Sequence, residues 1–506
     1  MTIAERQLAP VIPASPVGSE FTATMPAAAG LRQLWAAMTT LRSAEGTGTQ
    51  PVLSADLAVA RDILREAVHS AGPSGARRVP SAGAIFPYET LALCRVATDP
   101  GDAVPWGLFR IEGPAAACTR LPISPGWLHH LVTTMPAGPE FEGSYLIVMT
   151  RPWLSIRKYG PRGYLYSQLD AAHAAVNIAG IALDTGAAVL HAGLPAAAAT
   201  ILRHGFLPCH EAHSAIELAP ARSYPGDPVV AVRDEVPARR TAQEYDFEAR
   251  AWADIVAPLQ GPALHDSAET SASAEPRDTA LVTLSEQQPD HALRTQWRAL
   301  SASRRSAKRF GAEPLTGAQL ASTIGALATC LPTTVGQLAG GAARLAGAAV
   351  SATVLVNDRL ELNPAERASI TRCARLVRYP ATPDSIPDSG NAIIAACMGQ
   401  QHVGNGQAFV LLHAAGSLVA GNAGGRAIRH ALFRAGAGAQ LLCLAATRDN
   451  IAASPIGGFD SEVWTRIAQL PADTELLYLL ALGSPVAESG PARQDRAEKA
   501  TAHGES

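Results

Sequence analysis

Residues 169–177, LDAAHAAVN, lie in a nearly apolar stretch and have a counterpart at residues 433–441, FRAGAGAQL, which is 264 positions later. A second pair matches at almost the same distance, because PVLSADLA at residues 51–58 and PLTGAQLA at residues 314–321 are 263 positions apart. Two matches that are far apart in the chain and share nearly one offset indicate a duplicated domain of roughly 200 residues. We therefore expect two copies of one fold.

The stretch between the two copies has the composition of a linker. Residues 258–290 are rich in Ala, Ser, Pro and acidic residues and show no sustained apolar periodicity, which is typical of segments that build no packed core. Both ends of the chain have a similar composition. The sequence thus predicts a flexible N-terminus over residues 1–30, domain 1 over residues 31–257, a linker over residues 258–290, domain 2 over residues 291–486 and a flexible tail over residues 487–506.

Helices and strands are mixed within each copy. Residues 54–68 predict a helix capped by Ser54, and residues 165–183 predict a long helix that is apolar on nearly every side and therefore buried. Buried strands are predicted at residues 90–96, 145–150, 408–412 and 475–482. The resulting order of helix, strand, strand, buried helix and strand is not the strict alternation of a doubly wound sheet, so we predict the α+β class.

Composition argues against several classes of function. The 506 residues carry a net charge of −3, and a chain without a basic excess is not expected to bind nucleic acid. No apolar run reaches the ~18 residues of a membrane-spanning helix, and the N-terminus lacks the layout of a secretory signal. Seven scattered cysteines fit reduced thiols better than disulfides or a zinc site. We expect a cytoplasmic protein with no membrane partner and no metal.

A cluster of cations opens the second copy. Residues 304–310, RRSAKRF, place four cations and one hydroxyl within seven positions, and guanidinium, ammonium and hydroxyl groups all bind phosphate. A solvated basic stretch at the start of a helix is the alternative from charge alone. The ordered sequence downstream, Phe310 and then EPLT at residues 313–316 before a helix, favours the phosphate site. Its candidate ligands are Arg304, Arg305, Ser306 and Lys308.

Three further segments could contact a flat ligand or move protons. The turn Pro80-Ser81-Ala82-Gly83-Ala84 has small residues that let a ring approach the backbone. The pair Lys158-Tyr159 precedes the long buried helix, and either residue could transfer a proton if burial or a neighbouring cation tuned it. Ile456-Gly457-Gly458 could abut a ring before the next helix. An ordinary surface turn, a charged helix rim and a plain loop are the respective alternatives.

Together and in this order, the four segments resemble the nitroreductase superfamily. They are most similar to its SagB-type branch, the FMN-dependent dehydrogenases that oxidise azolines to azoles in thiazole- or oxazole-containing peptides. The resemblance is carried by residues 80–89, 157–164, 304–320 and 436–483. It implies two tandem nitroreductase-like domains that form an intramolecular pseudo-dimer, with FMN at their interface. One copy would supply the phosphate-binding residues and the Gly-rich loop, and the other the Pro-Ser turn against the ring.

The resemblance also implies that only one composite site survives. Counted back by 263 positions, the four candidate ligands at 304, 305, 306 and 308 fall on Leu41, Arg42, Ser43 and Glu45, so one Arg is lost and Glu45 replaces the Lys. A carboxylate there would repel a phosphate. The second copy has no Ser-Ala-Gly turn at residues 331–338 and no Lys-Tyr pair near residues 421–426. We therefore expect one FMN per chain, held by the candidate phosphate ligands, the turn at residues 80–84 and the loop at residues 456–458.

The activity implied by the resemblance is the oxidation of thiazolines or oxazolines to thiazoles or oxazoles in a ribosomally made peptide of the thiopeptide or linear azole type. Lys158-Tyr159 matches the proton-transfer motif of that branch, and dioxygen would reoxidise the flavin. The implied partners are an azoline-containing precursor peptide and cyclodehydratase components. Three alternatives stay open: an NAD(P)H-dependent nitro or quinone reductase, a thiazoline oxidase acting on a carrier-bound non-ribosomal peptide, and a non-catalytic partner of a cyclodehydratase.

Overall fold

Two β-sheets and two long helices organise the part of the chain that the computed structural model describes. The described residues are 49–69, 77–96, 106–113, 115–138, 140–183, 188–205, 209–221, 229–234, 242–256, 281–282, 295–329, 350–357, 360–379, 389–416 and 424–486. Both predicted flexible ends, residues 1–30 and 487–506, lie outside them, and so does most of the predicted linker.

The first sheet is a mixed sheet of nine described strands. They are β1 (Thr49–Leu53), β2 (Tyr88–Arg95), β3 (Trp106–Glu112), β4 (Ala117–Arg120), β5 (Ser144–Thr150), β6 (Ala188–His191), β7 (Glu211–Leu218), β8 (Val229–Asp234) and β9 (Leu281–Val282). Their spatial order is β1-β8-β4-β3-β2-β5-β7-β6-β9. Only the β4–β8 pair in this order is parallel. The edge strand β9 comes from the predicted linker, so two residues of that segment extend the sheet by pairing with β6.

The second sheet has five described strands. They are β10 (Ser351–Asn357), β11 (Arg375–Tyr379), β12 (Ala408–Ala415), β13 (Ala452–Ile456) and β14 (Thr474–Gly483), in the order β11-β10-β12-β14-β13. The β10–β11 pair is parallel and the other three pairs are antiparallel. Two largely antiparallel sheets combined with helices confirm the α+β prediction. The four buried strands predicted from the sequence are also confirmed, as β2, β5, β12 and β14.

Helices connect and cover these sheets. They are α1 (Ala55–Leu64), α2 (Pro125–Thr134), α3 (Pro152–Tyr159), α4 (Arg162–Ala182), α5 (Ala196–Gly205), α6 (Ala242–Ala251), α7 (Trp297–Ser303), α8 (Gly317–Gly325), α9 (Pro364–Thr371), α10 (Ser389–Ala396), α11 (Gly424–Arg448) and α12 (Ser461–Ile467). Ser54 caps α1 as predicted, since its side chain accepts a hydrogen bond from the Leu57 amide. None of the helices in the described ranges is both long and apolar enough to cross a membrane.

The two long helices, α4 and α11, pack against each other through the very segments that match in sequence. A Cβ atom at Gly436 of α11 would lie 2.6 Å from Cβ of Ala172 in α4, so only glycine permits this approach. His173 Nδ1 lies 2.9 Å from Gln440 Oε1, and the Gln440 amide donates to Asn177 Oδ1 at 3.3 Å. The residues that indicated a duplication therefore form the central helix contact.

Candidate functional site

The turn before β2 is anchored to helix α4. Gly83 and Ala84 adopt left-handed φ angles of 59° and 57°. The Ser81 hydroxyl donates to Asp170 Oδ2 of α4 at 2.5 Å, and the Ala82 amide donates to the same carboxylate at 3.1 Å. The Phe86 amide donates to Ser81 Oγ at 2.8 Å and closes the turn. The predicted Pro-Ser-Ala-Gly segment is thus a defined turn whose small residues, Gly83 and Ala84, are exposed.

Lys158 and Tyr159 reach this turn from the C-terminal end of α3. A Cβ atom built on Gly83 would lie 2.2 Å from Tyr159 Oη and 2.4 Å from Lys158 Nζ. The Lys158 ammonium lies 5.2 Å from the centroid of the Tyr159 ring, and the Tyr159 ring packs edge-on against Tyr166 with 5.0 Å between centroids. Two segments that are about 75 positions apart in the sequence therefore meet above one glycine.

The two arginines near the Lys-Tyr pair pack on phenylalanine rings. The Arg157 guanidinium lies 5.1 Å from the centroid of the Phe247 ring, and the Arg162 guanidinium lies 4.8 Å from that of the Phe459 ring. Because Gly160, with φ of 61°, ends α3 between them, the chain turns sharply there. The lysine and the tyrosine are thus the side chains of this segment that approach Gly83.

A buried ion cluster holds the start of α3 against the end of the turn segment. Arg151, which precedes α3, donates to the carbonyl oxygens of Phe86 and Tyr88 at 3.2 and 3.0 Å. It also forms an ion pair with Glu89 at 3.4 Å. Burial raises the pKa of Glu89, but His210, Arg110 and Arg151 together outweigh burial and hold that pKa well below its usual range. The carboxylate therefore stays charged and fixes α3 relative to the turn.

The glycine loop of the second sheet meets the same turn. Gly457 and Gly458 follow β13, and the Tyr166 hydroxyl donates to the Gly457 carbonyl at 2.5 Å. A Cβ atom on Gly457 would lie 3.6 Å from Cβ of Ala82. Ile456 is fully buried in the core of the second sheet, so it anchors the start of the glycine loop. Turn, Lys-Tyr pair and glycine loop form one continuous surface.

Met398 and Gln400 border this surface. The Gln400 amide donates to the Gly458 carbonyl at 2.9 Å and to the Cys397 carbonyl at 3.0 Å. Met398, which has a left-handed φ of 54°, leaves 61% of its surface exposed beside Gly458. A large apolar side chain is thus presented to solvent at the rim of the loop.

The two arginines at 304 and 305 bind backbone carbonyl groups. Arg304 is buried, and its Nε and Nη2 atoms donate to the carbonyl oxygens of Arg78 and Arg77 at 2.7 and 3.2 Å, while Nη1 donates to Ser306 Oγ at 3.2 Å. Arg305 is exposed and donates to the carbonyl oxygens of Ala302 and Arg304. Arg304 thus ties the end of α7 to the backbone just before the turn, and its contact with a phosphate stays a prediction.

Ser306 and Lys308 lie near β13, the strand that precedes the glycine loop. Ser306 forms a parallel bridge with Ala453, and Lys308 is exposed. Burial and the Lys308 charge lower the pKa of His402, whose Nε2 lies 3.1 Å from Ser454 Oγ. At ~3.3 Å per residue, the strand leads from Ser454 to Gly457 over about 10 Å. The group of Ser306, Lys308 and His402 therefore lies beside the first half of β13, about three residues before the glycine loop.

Sequence reasoning missed four contributors to this surface. They are Tyr166, Asp170, Gln400 and His402. Asp170 lies inside the quoted stretch at residues 169–177, and an acid in an otherwise apolar helix was a usable signal. The predicted losses at residues 41–47 and 331–338 lie outside the described residues, as do residues 421–423.

Comparisons with known proteins agree with this architecture. Residues 302–484 match the model of the nitroreductase family. A putative nitroreductase from Anabaena variabilis has a similar fold, with a TM-score of 0.58 at 17% identity over 96% of this chain and 100% of that chain. The chain therefore has a nitroreductase-like α+β fold and contains a nitroreductase family domain. No curated protein matches its sequence.

Two other solved structures match shorter parts of the chain. A putative nitroreductase from Desulfovibrio desulfuricans in complex with FMN aligns with 40% of this chain and 92% of that chain, at 16% identity and a TM-score of 0.25. An E. coli microcin synthetase complex aligns over 42% of this chain and 78% of that chain, at 15% identity and a TM-score of 0.27.

Proposed function

We propose that this protein is an FMN-dependent oxidoreductase that oxidises azoline rings to azoles in a peptide substrate, with Lys158 or Tyr159 accepting the proton. One observation carries the proposal: Lys158 Nζ and Tyr159 Oη converge on Gly83 of the turn that we expect to line the flavin ring. Because both groups reach the same point, a ring held over the turn would have a proton acceptor at its edge.

The site belongs, in this proposal, to two nitroreductase-like copies in one chain, domain 1 over residues 31–257 and domain 2 over residues 291–486. Three observations support the pairing. Each sheet packs on its own long helix, α4 or α11. The two helices pack on each other through matched segments. The proposed flavin surface combines Ala82 and Gly83 of one copy with Gly457 and Gly458 of the other. An internal pseudo-dimer would therefore hold one flavin.

The residues on this surface fit FMN. Lys308, Ser306 and His402 provide a cationic, hydrogen-bonding end for a phosphate. Residues 82–84 and 457–458 have side chains no larger than a methyl group, so a planar ring can lie close to the backbone. When bound, FMN supplies the acceptor for the hydride that the azoline loses and is reoxidised by dioxygen.

The side chains would orient the substrate and take up its proton. Conversion of an azoline to an azole removes two electrons and two protons, one of which leaves with the hydride. The second proton would pass to Lys158 Nζ or Tyr159 Oη. Edge-on packing of Tyr159 against Tyr166, whose own hydroxyl is bound to the Gly457 carbonyl, helps to orient the phenol. The precursor peptide and cyclodehydratase components are the partners that follow from this activity.

A direct test uses the flavin-loaded full chain and an azoline peptide. Mass spectrometry should show loss of two hydrogen atoms per ring with the wild type. The double variant Lys158→Ala/Tyr159→Ala should stay yellow and form no azole. Arg157→Ala is the matched control, because Arg157 lies on the same helix and packs on Phe247. Full azole formation by the double variant would overturn the assignment of the pair.

The nitroreductase match over residues 302–484 favours a second candidate, an NAD(P)H-dependent reductase of nitro compounds or quinones at the same surface. This reaction delivers a hydride to the flavin and requires no base at the Lys-Tyr pair. Steady NAD(P)H oxidation with a quinone, unaffected by the double alanine variant and without change in the azoline peptide, would establish this candidate and eliminate the first.

A further inference from the structure

Asp170 is the one carboxylate shown to contact the turn among the described residues. It lies on α4, is fully buried, and accepts hydrogen bonds from the Ser81 hydroxyl and the Ala82 amide. Ser81 Oγ in turn accepts from the Phe86 amide. Asp170 therefore holds Ser81, the first residue of the turn, directly and holds Phe86, the last residue, through Ser81.

The turn needs such an anchor because its backbone is unusual. Gly83, Ala84 and Phe86 have φ angles of 59°, 57° and 52°. Two of these three residues carry a Cβ atom, and the left-handed region is unfavourable for them. Strained backbone persists only where surrounding contacts hold it. Since Gly83 faces Lys158 and Tyr159, any relaxation of the turn would change the distances between the proposed flavin surface and the proton acceptors.

Burial and neighbouring groups set the pKa of the Asp170 carboxyl group. Burial raises its pKa to about 7, while the hydrogen bonds from Ser81 and Ala82 act in the opposite direction. Tyr88 of β2 and Tyr478 of β14 also face it, and burial raises the pKa of both tyrosines, so both stay neutral. His173, one turn along α4, is neutral as well, because burial lowers its pKa to about 3. The buried Arg304 guanidinium interacts electrostatically with all three of these neighbours. The carboxylate thus changes charge near neutral pH.

We propose that Asp170 is a positioning residue that, in its charged form, holds the turn at residues 81–86 in the geometry that Lys158 and Tyr159 require. This inference rests on the proposed function and concerns the same site. The position 264 residues later, which pairs with Asp170 in the sequence match, is Arg434. The anchor is therefore not duplicated, in agreement with a single site per chain.

The test compares Asp170→Asn, Ser81→Ala and Ser81→Thr with the wild type. Hydrogen exchange of the amides at residues 82 and 86 reports on the turn, and the pH profiles of FMN affinity and azole formation report on the site. In the wild type, activity should fall as the pH decreases through about 7. Asp170→Asn should lose amide protection, lose that pH step and lower activity at least about tenfold at alkaline pH. Ser81→Thr should retain the hydroxyl bridge that Ser81→Ala loses.

Each outcome bears on the inference. Unchanged amide protection and an unchanged pH step in Asp170→Asn would overturn it. If Asp170→Asn does not fold, the Ser81 pair carries the same comparison, and equal exchange and activity in both serine variants would overturn it. If the wild type binds no FMN while its amide protection depends on Asp170, the proposed function fails and the anchoring of the turn stands, but its link to the proton acceptors is refuted.

Discussion

Gly83→Ala should lower the rate of azole formation about a hundredfold while the chain stays folded and flavin-bound. The new methyl group would lie 2.2 Å from Tyr159 Oη and 2.4 Å from Lys158 Nζ. Non-bonded heavy atoms separate to about 3.5–4.0 Å, so both side-chain ends must move by at least about 1 Å. A displacement of that size at a reacting group is enough to cost about two orders of magnitude in rate.

The cost in stability should be smaller than the cost in rate. Both colliding atoms are the far ends of flexible side chains, and they can swing away without moving the backbone. What remains is the left-handed φ of 59° at Gly83, which costs an alanine roughly 1–2 kcal/mol. The loss should therefore appear mainly in kcat for azole formation, with about 1–2 kcal/mol lost from the free energy of unfolding.

Gly113→Ala is the matched control for this variant. Gly113 has φ of +71° and open space where a Cβ atom would lie, so the substitution adds the same backbone strain without the collision. Turnover is measured by mass spectrometry of the azoline peptide, flavin content by absorbance and stability by denaturant titration. Wild-type kcat in Gly83→Ala, or equal losses in Gly83→Ala and Gly113→Ala, would refute the placement of the Lys-Tyr pair.

Three further predictions concern Lys308 and the pair of long helices. Lys308→Glu should weaken FMN binding at least about tenfold by repelling the phosphate, more strongly at low salt, and Arg309→Glu should do so less, as measured by flavin fluorescence titration. Burial lowers the pKa of His173 from 6.5 to about 3, so the unfolded chain binds a proton before the folded chain does as the pH falls. The free energy of unfolding should therefore drop by about 3 kcal/mol between about pH 6.5 and pH 4. Denaturant titrations of His173→Gln should lack this part of the drop. Gly436→Ala should lower the free energy of unfolding by about 1–3 kcal/mol, because its Cβ atom would lie 2.6 Å from the Cβ atom of Ala172. Gly438→Ala, whose Cβ atom would lie 3.4 Å from its nearest neighbour, should be neutral or stabilising in the same titrations.

The elements of the fold were predictable where burial leaves a clear pattern. The apolar stretch around residues 169–177 predicted a buried helix, and α4 is buried from Gly163 onward. The prediction began three residues late because Arg162 and Gly163 look like loop residues. Gly163 is instead required for packing, since a Cβ atom there would lie 2.3 Å from the Ser155 carbonyl carbon. Such a contact between two helices has no local signal in the sequence.

The site was predictable in its parts and not in its connections. Residue types and spacing singled out the turn, the Lys-Tyr pair and the cations, because each has a recognisable chemistry. Their partners lie far away in the chain: Arg304 binds a carbonyl oxygen 226 positions away, and Asp170 binds Ser81 across 89 positions. Spacing does not reveal whether an arginine binds a phosphate or a backbone carbonyl, so the geometry of Arg304 could emerge only from the folded chain.

The stoichiometry of FMN on the purified full chain tests the central claim most directly. We predict one FMN per polypeptide in titrations of the flavin-free protein, with affinity lost on Lys308→Glu in the second copy and reduced on Ser81→Ala in the first. Two flavins per chain, no flavin, or one flavin that is indifferent to both substitutions would contradict a single site shared between the two halves.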